Sequence, residues 1–367
     1  MRSPSRLSRK TGVREMSFLD PRFSSLEEYT PGEQPKDTVY TKLNTNESPY
    51  PAGPKVVEAL TDPEKARRLR LYSDPDSAKL KLALAERYGV TPRNIFVSNC
   101  SDDILNFAFF AFGHDGVMFP RTSYGFYKVF GQLHGRDCEL VPLTDDFRVD
   151  PQDYLNAGKM VVIANPNAPT GRTISLEDIG NICASNPDHV VLIDEAYVDF
   201  GAESCVPLTQ KYENLLVAQT FSKSRSLAGA RLGYAIGSQT VISDLEKIKY
   251  STNPYNVNSL TAAAGIAALS EEEYYKANAA KIMETRARST ERFQELGFRV
   301  VPSLANFIFV SSDKIDGGKL YEELKNRRVL IRHWNDPLIE NWNRVTIGTP
   351  EEMDVLFTEI ENILKEA

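Results

Sequence analysis

Seven short apolar runs between residues 92 and 237 alternate with amphipathic segments, and this alternation constrains the fold more than any other feature of the sequence. The runs are NIFVSN, GVMFP, CELVPL, MVVIANP, VVLIDEAYV, LLVAQTFS and RLGYAIG. Their length and β-branched content predict core strands, whereas the apolar spacing in 101–112 and 175–184 predicts helices. Repeated switching between these two periods indicates an α/β fold with a mostly parallel sheet.

The composition changes after Pro254, which indicates a second and smaller domain. Residues 260–296 are rich in alanine and charge and are long enough for one long helix or two in succession. Beyond them FRVVPSLANFIFV, RVLIRHW and RVTIG predict strands, and a last helix is expected to start near Pro350. We therefore expect a large domain at 46–257 and a small α+β domain, with its connecting helix, at 258–367.

Two further segments are expected ahead of the large domain. Residues 1–15 are basic and lack apolar periodicity, so we interpret them as a disordered extension. An organelle transit peptide, an upstream start codon or a cloning remnant would have the same composition. Residues 16–45 follow as an N-terminal arm.

Charge and composition argue against several classes of protein. The 367 residues include 43 Lys and Arg against 50 Asp and Glu, a net charge of −7, which disfavours a nucleic-acid or anionic-membrane partner. No run approaches the ~18 apolar residues of a membrane span, and the N-terminus lacks the apolar region of a secretory signal. The four cysteines and four histidines are dispersed, so we expect no disulfide, no metal site and a cytoplasmic location.

The stretch TFSKSRSLAGARLGY, residues 220–234, places Lys223 and Arg231 in a turn after a predicted strand. Gly229 and Gly233 leave room there for the backbone to approach a bound anion. An amine beside an anion site is what Schiff-base chemistry with pyridoxal phosphate requires. An exposed surface position is the alternative for a lysine considered alone.

The stretch VVLIDEAYVDF places Asp194 at the end of an apolar strand, where ligands of α/β proteins bind. A buried carboxylate is costly unless it is paired, and a protonated pyridine nitrogen is a suitable partner. Tyr197, three residues further on, could donate to the phenolic oxygen of the same ring.

Two other stretches follow predicted strands. ANPNAPTGRTIS, residues 164–175, contains two prolines and a glycine and predicts a loop. SNCSDDIL begins a helix at Ser101 and Asp102, whose unpaired backbone N–H groups suit a phosphate. Ordinary helix capping explains these two residues equally well.

Taken in this order, the stretches resemble the fold-type I pyridoxal-phosphate aminotransferases from Met16 to the end of the chain. The joint pattern is NP-x-x-PTG, then D-E-A-Y, then S-K with an arginine eight residues later. Within that superfamily, EYTPGEQ, LNTNESPYP, LYSDPDS, LIRHW and RVTIGT are most similar to the histidinol-phosphate aminotransferase family. The resemblance implies the fold-type I architecture, with pyridoxal phosphate bound to the large domain.

The resemblance also implies a role for each matching residue. Lys223 would form the Schiff base, Asp194 would pair with the pyridine nitrogen and Tyr197 would bond the ring oxygen. Tyr124 would stack on the ring. The residues that bind the cofactor phosphate would be Ser101, Asp102, Ser222 and Arg231. Tyr72 would reach the cofactor phosphate of the neighbouring subunit, which implies a homodimer with shared active sites. Tyr124 and Tyr72 could instead be core residues.

The implied reaction converts histidinol phosphate and 2-oxoglutarate into imidazole acetol phosphate and glutamate, a step of histidine biosynthesis, with ping-pong kinetics. Arg344 and Arg332 end two predicted strands and suit planar or tetrahedral anions. Arg344 would hold a carboxylate, and Arg332, Tyr29 and Asn46 are further candidate substrate contacts. Surface solvation is the alternative for the two arginines, and turn chemistry is the alternative for Asn46.

One departure from the family pattern is Ala168, which stands where an asparagine usually donates to the ring oxygen. One hydrogen-bond donor is therefore missing, and Tyr197 is expected to be the main donor. Asn165, Asn167 or a water molecule are candidate substitutes.

Three other functions fit parts of the same pattern. An aromatic amino acid aminotransferase and a threonine-phosphate decarboxylase would use the same lysine, aspartate and arginine. A cofactor-sensing module of a transcription regulator would share the fold, but it needs a DNA-binding domain. About 40 residues precede LNTNESPY, and they contain no recognition-helix pattern.

Overall fold

The computed structural model describes residues 18–366. A seven-stranded sheet forms the larger part of the molecule, and a four-stranded antiparallel sheet forms the smaller part. This arrangement confirms the predicted α/β fold with a smaller α+β region. The predicted disordered extension at residues 1–15 lies outside the described residues.

The strands fall into three sheets. In chain order they are β1 (Thr41–Lys42), β2 (Ile95–Ser98), β3 (Val117–Pro120), β4 (Cys138–Val141), β5 (Met160–Ala164), β6 (Val191–Asp194), β7 (Leu215–Thr220), β8 (Gly233–Gly237), β9 (Phe298–Val301), β10 (Phe307–Ser312), β11 (Val329–Leu330), β12 (Arg332–His333) and β13 (Trp342–Thr346). All seven apolar runs of the large domain therefore contain a strand.

The helices flank these sheets. They are α1 (Pro54–Thr61), α2 (Pro63–Arg67), α3 (Ala78–Tyr88), α4 (Cys100–Phe112), α5 (Phe126–Leu133), α6 (Leu176–Ser185), α7 (Gln239–Thr252), α8 (Ser259–Leu269), α9 (Glu272–Glu295), α10 (Gly317–Asn326) and α11 (Pro350–Glu366). The alanine-rich segment thus forms two helices in succession, one of the two alternatives that its sequence left open.

The large sheet has the strand order β2-β8-β7-β6-β5-β3-β4. The strand β8 runs antiparallel to both of its neighbours, and the other pairs are parallel. The carboxyl ends of β5, β6 and β7 therefore meet at one edge of the sheet. In parallel sheets this edge is where ligands bind.

Burial on both faces explains why the central strands are continuous apolar runs. Every residue of β5, β6, β7 and β8 is buried. Along β6, Val191 and Ile193 pack into one apolar cluster, while Leu192 packs into the cluster on the opposite face. Helices cover both faces, as parallel sheets require.

The prediction of one strand in RVLIRHW was wrong, because the segment divides at Ile331. The strand β11 pairs with β1 in parallel, and β12 pairs with β13 in the antiparallel sheet. The first pairing ties the N-terminal arm to the small domain. The second places Arg332 directly opposite Arg344.

Several features are absent from residues 18–366. No helix in this range combines the length and the apolar character needed to cross a membrane. No group of three or more His, Cys, Asp or Glu side chains there could hold a metal ion. The four cysteines, all of which lie in this range, are unpaired.

Candidate active site

A pocket of two adjoining chambers lies where β5, β6 and β7 end and the small domain faces the large sheet. The first chamber has a volume of about 380 Å³ and extends from Asp194 to Arg231. The second has a volume of about 390 Å³ and extends towards Arg332 and Arg344. Lys223 lines both chambers.

Twelve of the thirteen residues singled out in the sequence line this pocket. The first chamber is lined by Ser101, Asp102, Tyr124, Asp194, Tyr197, Ser222, Lys223 and Arg231. The second is lined by Tyr29, Asn46, Tyr124, Tyr197, Lys223, Arg332 and Arg344. The thirteenth residue, Tyr72, lies elsewhere on the surface.

Asp194 is the last residue of β6, and its carboxylate is buried at the base of the first chamber. The Tyr127 hydroxyl donates to Oδ2 at 2.8 Å, and the backbone N–H of Ala196 donates to Oδ1 at 3.2 Å. Burial raises the pKa of the Asp194 carboxyl to about 6, although these hydrogen bonds oppose the shift. A cationic N–H group in the chamber would stabilise the ionised form.

The turn between β7 and β8 holds Lys223 with its amine facing both chambers. The backbone N–H of Ser226 donates to the Lys223 carbonyl at 3.1 Å, and the Ser226 hydroxyl donates to that of Ser48 at 2.9 Å. The Lys223 Nζ atom lies 3.5 Å from the carbonyl oxygen of Thr45 and 5.6 Å from the ring centre of Tyr197. A nucleophilic amine is thus placed between the two chambers.

The first turn of α4 and the start of β8 approach each other closely. A Cβ atom at Gly233 would lie 2.5 Å from the carbonyl carbon of Cys100 and 2.6 Å from the nitrogen of Ser101. Only a glycine allows this approach without a shift of the backbone. The approach places Arg231 beside the unpaired N–H groups at the start of α4, an arrangement that suits a phosphate.

Asp102 contributes to this corner in a different way from that expected of a phosphate ligand. Its carboxylate accepts hydrogen bonds from Arg231 Nη2 and from the Tyr124 hydroxyl, each at 2.8 Å. An anion would be repelled by this side chain, so its role is to orient Arg231 and Tyr124. Its backbone N–H, in the first turn of α4, remains suited to an anion.

Ser222 offers a hydroxyl to the same corner. The Thr220 hydroxyl donates to Ser222 Oγ at 2.9 Å, and the backbone N–H of Ser222 donates back to Thr220 Oγ1 at 3.1 Å. The hydrogen of the Ser222 hydroxyl is then available to an anion in the chamber.

The loop after β5 brings Ala168 to the wall of both chambers, where its methyl group provides no donor. The two neighbouring asparagines are engaged within the loop and its surroundings. Asn165 exchanges two hydrogen bonds with the backbone of Ile174, at 3.3 and 3.1 Å. Asn167 Nδ2 donates to the Thr122 carbonyl at 3.0 Å, and its Oδ1 accepts from Ser123 at 2.7 Å. Neither asparagine therefore replaces the missing donor in this arrangement.

Arg332 and Arg344 lie opposite each other on antiparallel strands, a pairing of like charges that is unfavourable without an anion. The Trp334 ring lies near both, 5.4 Å from the guanidinium carbon of Arg332 and 5.3 Å from that of Arg344. Burial lowers the pKa of Arg344, and its Nε atom has no hydrogen-bond partner among residues 18–366. Arg344 lines the second chamber, where its charge is complementary to a carboxylate or a phosphate.

Arg332 has a second function that its sequence context did not indicate. Its guanidinium donates to the carbonyl oxygens of Thr30 and Pro31, at 2.9 and 3.2 Å, and so holds the N-terminal arm over the second chamber. Tyr29 of the arm stacks on Phe126, with ring centres 4.1 Å apart. The arm therefore forms one wall of the chamber.

Three residues that line or support this pocket were not identified from the sequence. They are Tyr127, which binds Asp194, Trp334, which contacts both arginines, and Thr346, which binds Asn46. Trp334 and Thr346 lie in LIRHW and RVTIGT, which were used above, and Tyr127 lies three residues after Tyr124. The motif was a usable signal for their position, but their contacts depend on long-range packing.

Tyr72 is 84% exposed and stacks on Tyr255, with ring centres 4.6 Å apart. It lines neither chamber of its own chain. Leu69 and Leu71, close to it in sequence, are 53% and 48% exposed. Neighbouring apolar side chains with this exposure are typical of a contact surface.

The donor set of the first chamber fits pyridoxal phosphate. Asp194 suits a protonated ring nitrogen, Lys223 suits an aldehyde, and the corner formed by Arg231, Ser222 and the start of α4 suits a phosphate. The buried carboxylate and the phosphate corner line the same chamber, as a ligand with both a cationic and an anionic group requires.

Comparisons with known proteins identify the family. Residues 38–360 match the family "Aminotransferase class I and II". The histidinol-phosphate aminotransferase of Brachyspira hyodysenteriae is 48% identical over 352 residues, which are 95% of this chain and 99% of that protein. The enzyme of the same name from Clostridium acetobutylicum is 44% identical, over 95% and 99% of the two chains.

Solved structures agree with the fold. Histidinol-phosphate aminotransferase from Sinorhizobium meliloti, in complex with pyridoxal-5'-phosphate, has a TM-score of 0.85 at 24% identity, over 96% of this chain and 99% of that one. L-threonine-O-3-phosphate decarboxylase from Porphyromonas gingivalis has a TM-score of 0.76 at 22% identity, over 88% and 99%. At these identities the likeness concerns the fold alone, and it does not separate the two activities.

Family assignment thus rests on the sequence matches, which extend over nearly the whole of this chain and of its relatives. The motifs around Lys223, Asp194 and Arg344 all lie inside the matched region. The chain belongs to the class I and II aminotransferases, a pyridoxal-phosphate-dependent family, and within it to the histidinol-phosphate aminotransferases.

Proposed function

We propose that this protein transfers an amino group between histidinol phosphate and 2-oxoglutarate, in histidine biosynthesis. The observation that carries the proposal is the position of Lys223, whose amine lies between the chamber that ends at Asp194 and the chamber that contains Arg332 and Arg344. This arrangement brings a cofactor and an anionic substrate to the same amine.

The first chamber would hold pyridoxal phosphate through residues of the large domain. Asp194 would bind the ring nitrogen, Tyr124 would stack on the ring, and Tyr197 would donate to the ring oxygen. The phosphate would be bound by Arg231, Ser222 and the N–H groups of Ser101 and Asp102. When bound, the cofactor supplies an electron sink for the charge that develops at the substrate α-carbon.

Lys223 would act on the substrate as a general base and acid. Its Nζ atom would take the proton from the substrate α-carbon and hold it for the return transfer. Proton transfer of this kind requires an amine within hydrogen-bonding reach of the reacting carbon. The flexible lysine side chain, held at its backbone by the turn after β7, provides that reach.

The second chamber would select the substrate by its anionic groups. Arg344, which lines this chamber, would bind the carboxylate of glutamate or 2-oxoglutarate. Arg332 would bind the phosphate ester of histidinol phosphate, with Tyr29 beside it. Asn46 lines the same chamber, although both ends of its amide are engaged by protein groups.

We further infer that the protein is a homodimer with shared active sites. The exposed group of Leu69, Leu71 and Tyr72 supports this inference, because Tyr72 lies outside its own pocket. In the dimer, Tyr72 would reach the cofactor phosphate of the neighbouring subunit. The unpaired cysteines support a cytoplasmic location.

The proposed activity is tested by presenting different amines to the purified holoenzyme. Histidinol phosphate with 2-oxoglutarate should yield glutamate faster than phenylalanine does, because only the phosphate ester gives Arg332 a charge-assisted contact. Threonine phosphate should release no carbon dioxide. The Lys223→Ala variant, which keeps the anion contacts, should form no glutamate. Faster turnover of phenylalanine, or decarboxylation of threonine phosphate, would reject the assignment.

Arg332→Ala should affect the two amine donors unequally. A charge-assisted hydrogen bond contributes roughly 1.5–3 kcal/mol, so kcat/KM for histidinol phosphate should fall about 10- to 150-fold. Glutamate should lose less, because Arg344 still binds its carboxylate. Lys325→Ala is the matched control, since Lys325 holds the arm through Glu33 but does not line either chamber. Equal losses for both donors in Arg332→Ala would contradict the phosphate contact.

Hybrid dimers test the shared active site. Tyr72→Ala and Lys223→Ala should each be inactive or nearly so as homodimers. If Tyr72 acts in the neighbouring subunit, mixing and reassembling the two variants creates one intact site in each hybrid, and about a quarter of the wild-type activity should return. No recovery, with hybrid formation verified by mass spectrometry, would place Tyr72 in its own subunit or outside the mechanism.

A further inference from the structure

The hydroxyl of Tyr197 is held by a residue from the segment that connects the arm to the large domain. Asn46 Nδ2 donates to the Tyr197 hydroxyl oxygen at 3.0 Å. No protein group among residues 18–366 accepts the hydrogen of this hydroxyl. The Tyr197 hydroxyl therefore accepts on its protein side and remains a donor towards the chamber.

The orientation of the Asn46 amide is fixed by Thr346 of β13. The backbone N–H of Asn46 donates to Thr346 Oγ1 at 3.0 Å, so this hydroxyl acts as an acceptor there. Its own hydrogen is then donated to Asn46 Oδ1, at 2.9 Å. With Oδ1 engaged, Nδ2 is the end of the amide that faces Tyr197. A reversed amide would instead accept the Tyr197 hydrogen and remove it from the chamber.

The backbone around Asn46 is arranged to hold this chain of hydrogen bonds. Asn46 has a φ of 55°, in the left-handed region that asparagine tolerates better than most residues. Its carbonyl oxygen accepts from Asn306 Nδ2 at 3.0 Å, and Asn46 is only 1% exposed. Asn46 is thereby fixed to two segments of the small domain.

Because Ala168 provides no hydrogen-bond donor, the direction in which the Tyr197 hydroxyl donates becomes important. Asn165 and Asn167 are engaged elsewhere, so Tyr197 is the donor that remains for the ring oxygen of the proposed cofactor. A single donor has a large effect on the charge of that oxygen, because no second hydrogen bond compensates for its loss.

We propose that Asn46 and Thr346 are positioning residues that direct the Tyr197 hydroxyl hydrogen to the cofactor ring oxygen. The inference rests on the proposed binding of pyridoxal phosphate in the first chamber. It replaces the substrate contact expected of Asn46 with a role that acts through Tyr197. The charge on the cofactor ring oxygen would then depend on Thr346 of β13, a strand of the small domain.

The test is a pH titration of the visible absorbance of the holoenzyme, which reports the pKa of the lysine–cofactor chromophore without turnover. A donor to the ring oxygen stabilises its anionic form and lowers this pKa. Thr346→Val, which frees the Asn46 amide to reverse, should raise this pKa by about 0.4–1, the size of one hydrogen bond. Asn46→Ala should raise it less than Thr346→Val does, because a methyl group cannot accept the Tyr197 hydrogen, and Tyr197→Phe should raise it most.

A double variant distinguishes the proposed action of Thr346 through Tyr197 from a general structural effect. In the Tyr197→Phe background, Thr346→Val should cause no further shift. Thr349→Val is the matched control, because its hydroxyl caps the last helix and contacts neither chamber, and it should titrate as the wild type does.

The outcomes distinguish the inference from the proposed function. A shift in Tyr197→Phe with none in Thr346→Val would overturn the inference alone. A full Thr346→Val shift that persists without the Tyr197 hydroxyl would also overturn it. An unchanged titration in Tyr197→Phe would overturn the placement of the cofactor, and the inference with it.

Discussion

The burial of the Asp194 carboxylate at the end of β6 is the constraint on which the site depends. In the interior of the protein a carboxylate loses its hydration, and its pKa rises to about 6 even though Tyr127 and Ala196 donate hydrogen bonds to it. In the proposed complex with the cofactor, a cationic ring nitrogen would offset this cost. The parallel sheet supplies the position, since β5, β6 and β7 all end at the same edge.

Positively charged side chains line other parts of the pocket, in contrast to the Asp194 carboxylate. Arg231 lies beside the start of α4, and Arg332 faces Arg344 across two strands of the small domain. Arg332 and Arg344 form an unfavourable pair of like charges in the protein alone, whereas Arg231 is paired with Asp102. Both positions suit an anion. Lys223 lies where the two chambers meet. The charges of the pocket therefore suit one ligand with a cationic and an anionic group, and a second ligand that carries an anion.

Local patterns in the sequence were sufficient for the parts of the site that follow strands directly. Asp194 and Lys223 come at or just after buried runs, and the parallel order brings such positions together. The division of RVLIRHW could not be predicted, because its two halves pair with strands that are distant in sequence, β1 and β13. The contact of Asn46 with Tyr197 joins residues 151 positions apart, so no local spacing reveals it. For the same reason the attachment of Arg332 to the arm was missed.

The measurement that tests the central claim most directly compares the unfolding of wild type and Asp194→Asn, with and without the cofactor. The folded apoprotein has a carboxyl pKa of about 6 against an ordinary 3.8, so its stability should fall as the pH rises through that window. The asparagine variant lacks this loss, and its apoprotein should be more stable at pH 8 by about 3 kcal/mol, a difference that vanishes towards pH 4. Saturating pyridoxal phosphate should stabilise the wild type more than the variant, because a neutral amide cannot balance a ring cation. A variant apoprotein less stable than wild type at pH 8, or equal stabilisation of both by the cofactor, would contradict the pairing of Asp194 with the ring nitrogen.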